Sequence, residues 1–93
     1  MIADLLQRGN ARLTSGDVLS ARLYFERAGA AGSEDGEMSA AKTYDPKFLA
    51  TIDAPGLQPN VERAIDWYRI AARTHGNTEA QQRIDELTTA AAR

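Results

Sequence analysis

Two stretches of the chain repeat one pattern of small and aromatic residues. Ala21, Tyr24, Phe25 and Ala28 read AxxYFxxA. Ala64, Trp67, Tyr68 and Ala71 read AxxWYxxA, 43 positions further on. Each block leads to a glycine, Gly32 or Gly76, that stands four residues before a small one, Gly36 or Ala80. These glycines are 44 apart, so one residue is inserted near the end of the second block. The i, i+3, i+4, i+7 spacing is that of one helix face. Alanines let helix axes come close, and the aromatic pair fills the crossing. A lone helix pair leaves an apolar face bare, whereas stacked pairs bury a continuous core, which is the logic of α-solenoids.

The rest of the chain divides into elements that suit this scheme. Residues 3–14 place Leu5, Leu6, Gly9 and Leu13 on one face of a helix. Ser15-Gly16-Asp17 is a turn, with Asp17 as N-cap of a helix over 18–31, and Ser20 at N3 completes no capping box. Gly32 stops that helix. Residues 33–36 (SEDG) supply a turn and acids suited to the start of a third, short and weakly apolar helix over 35–43. Asp45 before Pro46 caps a further helix through Ile52, with Phe48, Leu49 and Ile52 as its apolar side.

Residues 53–60 (DAPGLQPN) form a loop whose Leu57 is expected to tuck onto the core. Asn60 caps the strongest helix, 61–75. Its buried stripe is Val61, Ala64, Ile65, Tyr68, Ala71 and Ala72, with Trp67 beside it. Gly76-Asn77 ends it. A last helix over 78–91 turns Ala80, Ile84 and Leu87 inward, and its TTAAAR tail is expected to fray. The expected fold is all-α: a right-handed α-α superhelix of about two helix-turn-helix repeats, in one domain over 1–93. Repeat one covers about 3–32 and repeat two about 34–76, and the 78–91 helix caps the stack.

Composition narrows the function. The 93 residues carry a net charge of −2, with five basic and seven acidic side chains in 1–46 and six of each in 47–93. That even spread lacks the basic stripe expected for nucleic acid or for a membrane surface. The absence of cysteine excludes disulfides and thiolate metal sites and leaves the compartment open. No stretch reads as a membrane span or a signal peptide.

Residues 59–80 resemble the second half of a Sel-one-like repeat, a relative of the tetratricopeptide repeat. Ala64, Trp67, Tyr68, Ala71, Ala72, Gly76 and Ala80 match that pattern, with one extra residue before Gly76. Residues 9–28 resemble a plain tetratricopeptide repeat through Gly9, Ala21, Phe25 and Ala28. The chain departs from the family at Arg8 and Arg12, where large apolar residues are usual, and at Ala40-Ala41, where Leu-Gly is typical. Pro46 also interrupts the first helix of repeat two. The resemblance implies adaptor or scaffold work, with a partner on the concave face. Bacterial members often have exported or envelope-linked roles.

Trp67, Tyr68, Tyr24 and Phe25 are expected to pack within and between repeats. His75, the sole histidine, suits the end of its helix. Glu62, Asp66, Asp85 and Glu86 read as solvated faces, with Asp66 and Arg69 as a surface pair. No P-loop, nucleophile elbow, HExxH or dinucleotide fingerprint occurs, so no enzyme, cofactor or metal site is expected.

Tyr44-Asp45-Pro46-Lys47 and the 53–60 loop are the candidates for specific recognition. Asp45-Pro46 has the plainer explanation that it restarts a helix. Arg8, Arg12 and Lys42 fall on the first helix of each pair, where the resemblance puts the concave face. There they would grip an acidic group or a terminal carboxylate. The expectation is a protein–protein interaction module using Arg8, Arg12, Lys42, Tyr44 and Lys47. The alternative is a capping or self-association segment, including a homodimer.

Overall fold

A computed structural model of the chain describes residues 1–54 and 56–91. Six helices run in order: α1 (Ile2–Thr14), α2 (Val18–Ala30), α3 (Glu34–Tyr44), α4 (Pro46–Leu49), α5 (Val61–His75) and α6 (Thr78–Ala91). No strand occurs among the described residues. The molecule is a slab of 38 × 32 × 15 Å.

Helix starts follow from short polar side chains that satisfy free backbone donors. Asp17 accepts from the Ser20 N–H at 3.1 Å, and Asn60 from the Arg63 N–H at 3.1 Å. Ser33 takes the Gly36 N–H at 3.0 Å, and Asn77 takes the Ala80 N–H at 2.8 Å. The caps recur with the repeat: Asp17 and Asn60 are 43 apart, Ser33 and Asn77 are 44 apart. Gly76 ends α5 in the left-handed conformation at φ 63°, which costs glycine nothing.

The helices pack in series, α1 on α2, α2 on α3, α3 on α5 and α5 on α6. Close approach depends on glycine. A Cβ on Gly36 would fall 2.5 Å from the Gly29 backbone nitrogen and 2.7 Å from the Ala28 Cβ, so α2 and α3 meet at van der Waals distance. Phe25, Ala21 and Ala40 form one core cluster, into which Leu6 and Leu13 pack from α1. Met38, Ala41, Ala64, Tyr68, Ala71, Ile84 and Leu87 are the centre of the other. Adjacent alanines of α3 thus serve different cores, and Trp67 touches both.

Three expectations need correction. The third helix is not a weak 35–43 segment. It runs Glu34–Tyr44, and seven of its eleven residues are buried, which makes it the centre of the molecule. Five of the seven are small or polar, Gly36, Glu37, Ala40, Ala41 and Thr43, and an apolar stripe does not reveal them. The fourth helix stops at Leu49, short of Ile52. There the Thr51 hydroxyl bonds back to the Phe48 carbonyl at 2.6 Å and closes a turn. The Asp66–Arg69 pair does not form, both side chains being exposed. Helix α6 continues to Ala91, and the end of the expected frayed tail, Ala92 and Arg93, lies outside the described residues.

Candidate functional site

The site grows from the Asp45-Pro46 junction. The residue before a proline is pushed into extended backbone, and Asp45 adopts φ −77°, ψ 122°. That turn aims its side chain inward, with 2% of the residue exposed. One carboxylate oxygen caps α4 by accepting the Lys47 N–H at 2.9 Å. The Tyr68 hydroxyl donates to the other at 2.6 Å. Arg83 of α6 closes a fork, Nε to Oδ2 at 2.8 Å and Nη2 to Oδ1 at 2.9 Å. Parallel two-point pairing is the strong form of this contact.

Burial pushes the Asp45 carboxyl up, but the Arg83, Tyr68 and Lys47 hydrogen bonds outweigh it and hold the group below its ordinary value. Burial, and then the same carboxylate, push the Tyr68 hydroxyl far up. Hydrogen bonding to Asp45 raises the Arg83 guanidinium further. The charges therefore stay fixed across the working pH range. One buried group ties the end of α3 and the start of α4 to the middle of α5 and to α6.

Above this floor opens a cleft of about 290 Å³. Its rim carries Lys42 and Glu79, 3.3 Å apart across α3 and α6, together with Lys47, Phe48 and Glu86. Glu86 also pairs with Arg83 at 3.0 Å. Rim pairs this exposed are weak, about 1 kcal/mol or less, and exchange readily with a ligand's charges.

The five residues singled out for partner binding do not converge. Lys42 and Lys47 share the cleft. Tyr44 is 8% exposed and turns toward α2. Its hydroxyl donates to Glu26 at 2.9 Å, and the Arg22 guanidinium lies 3.7 Å from its ring centroid. Trp67 Nε1 donates to the same Glu26 oxygen at 3.3 Å. Arg22 also bonds the Thr43 carbonyl and hydroxyl, so Tyr44 sits in a stack that joins α2, α3 and α5.

Arg8 and Arg12 lie on α1. The Tyr24 hydroxyl and the Asp4 carboxylate raise the Arg8 pKa, and Asp4 pairs with it at 3.0 Å. Arg12 lines a separate depression of about 220 Å³ with Ser20, Leu23, Tyr24 and Arg27. The two cavities share no residue.

A second buried acid escaped the sequence reading. Glu37 on α3 is 1% exposed, and its Oε1 makes no hydrogen bond of good geometry. It lies 3.3 Å from His75 Nε2, so His75 has a partner beyond the end of its own helix. Burial raises the Glu37 pKa, and His75 opposes the shift only in part. No local signal links positions 37 and 75, 45 and 83, or 26 and 67. Among the described residues no group of three His, Asp or Glu side chains is placed to hold a metal ion, and no helix is long and apolar enough to cross a membrane. No family model, curated protein or solved structure matches the chain.

Proposed function

We propose that the chain is a tetratricopeptide-like module of the Sel-one-like kind that binds a peptide or protein partner. In this proposal the serial packing forms a right-handed α-α superhelix of about two repeats. Helix α6 holds the place in the stack that α3 holds after α2, and caps it. The recurrence of caps at 43 and 44 residues supports that arrangement.

The observation that carries the function is the α3–α4–α6 cleft. Its floor is locked by the Asp45–Arg83–Tyr68 hydrogen bonds. Its rim offers Lys47, Phe48 and the loosely paired Lys42 to an incoming chain. A rigid floor lowers the ordering cost of binding, and adaptable charged ends supply selectivity. Capture from lysate of the source cell, with a Lys42→Glu/Lys47→Glu variant as control, tests this. A protein enriched on the wild type is expected to bind the purified variant at least about tenfold more weakly. No protein distinguishing the two baits would refute it.

A structural role is the second reading. Leu19 and Leu23, one turn apart on α2, are 58% and 60% exposed, and such apolar surface favours self-association. Light scattering over a range of concentrations decides, because a dimer mass without added partner favours this reading.

A further inference from the structure

We propose that the α1–α2 seam is a second recognition surface, for an acidic protein segment that carries an apolar side chain beside its carboxylate. Ser20, Leu23, Tyr24 and Arg27 lie at i, i+3, i+4 and i+7, on one face of α2. With Arg12 of α1 they line the 220 Å³ depression. Ser20 and Arg27 are seven residues apart, so the seam extends about 10 Å along the helix.

Charge selects the ligand. The chain as a whole is acidic, at −2. Three other surface depressions each include at least one carboxylate: Asp45, Glu79 and Glu86 in the first, Asp17 in the second, Asp85 and Glu86 in the third. The seam has two guanidiniums and no carboxylate in its lining. Arg12 and Arg27 are both exposed, and neither makes an ion pair among the described residues. Their planar forks match carboxylates two-point to two-point.

In the same depression Leu23 stands 60% exposed, with Tyr24, its neighbour in the chain, half-buried. Arginine and tyrosine around an apolar anchor is the composition of a protein-binding hot spot. A cavity of this volume admits one or two side chains. Two arginines without a basic stripe are a poor footprint for nucleic acid. This surface is independent of the cleft over Asp45, and either can fail alone.

The probe is a fluorescent, C-terminally amidated peptide of alternating Glu and Leu, titrated against the whole chain by polarisation. The controls are its free-acid form, the Gln-Leu counterpart, phosphatidylserine vesicles and a single-stranded DNA oligomer. Saturable binding by the Glu-Leu peptide is expected, weakening as salt rises. It should fall at least about tenfold in Arg12→Glu/Arg27→Glu and severalfold in Leu23→Ser, and hold in Lys42→Glu/Lys47→Glu. All these side chains are solvent-facing or on a rim, and circular dichroism verifies that each variant folds. The difference between amidated and free-acid forms identifies which carboxylate is read.

Equal binding of the Gln-Leu peptide, or no loss in the arginine variant, overturns the proposal. So does tighter binding of vesicles or DNA that depends on the same arginines. A concentration-dependent dimer abolished by Leu23→Ser assigns the seam to a second copy and overturns it too.

Discussion

Asp45→Ala removes, in one step, the acceptor for Arg83, for the Tyr68 hydroxyl and for the first free N–H of α4. Breaking a buried ion pair from one side costs about 3–5 kcal/mol, because the surviving charge stays buried without compensation. Loss of an N-cap costs about 1 kcal/mol more, though the terms overlap. Arg83 keeps Glu86 at 3.0 Å and 17% of its side chain exposed, which favours the lower end. We expect a loss of about 3 kcal/mol, against a total of about 5–14 kcal/mol for a chain of this length.

Urea denaturation followed by far-ultraviolet circular dichroism reads this as a fall of about 2–3 M in midpoint with an unchanged slope. The double variant Asp45→Ala/Arg83→Met removes both charges and should recover much of the loss. The Asp45 carboxyl is held below its ordinary value in the folded state. Its contribution is therefore complete above about pH 4 and disappears as pH falls through the folded value, so the gap between wild type and Asp45→Ala should shrink there. A cost under about 1 kcal/mol at pH 7, or a double variant no better than the single, would refute the network as the organiser of these four helices.

Glu37 is the opposite case. Its folded pKa is raised, so its contribution is complete below about pH 4 and is lost as pH rises through the higher folded value. Glu37→Gln should accordingly stabilise the chain at pH 8 and do so less at pH 4, measured by the same denaturation; a less stable variant at pH 8 would contradict this. Gly36→Ala would gain about 1 kcal/mol in helix propensity. Its Cβ, however, would sit 2.5 Å from backbone that cannot step aside, so a net loss of about 1–3 kcal/mol is expected in thermal unfolding.

Much of the helix inventory was legible along the chain. Val61–His75 and Thr78–Ala91 match the expected spans, and Asp17, Asp45 and Asn60 cap as expected. Ala80, Ile84 and Leu87 face inward, as does the Ala64, Tyr68, Ala71 stripe. Tyr24, expected to pack within and between repeats, is half-buried. The candidate site was less legible. Lys42 and Lys47 do meet at one cleft, while Tyr44 is turned inward by Glu26 and Arg22, residues no pattern around Tyr44 points to. Arg83 and Glu37 carry no local signal at all, since an arginine or glutamate on a helix usually faces water.

The chain by itself determined most helix starts, the stop at Gly76 and the apolar faces of α5 and α6. These are interactions between residues at most a few positions apart, and sequence spacing encodes them directly. Tertiary structure alone decided that α3, poor in large apolar residues, lies between two cores. It also decided which acids are buried against which partners, Asp45 with Arg83, Glu37 with His75 and Glu26 with Trp67. Each pair spans 38 or 41 positions and meets only once the helices have packed in series, α2 on α3, α3 on α5 and α5 on α6.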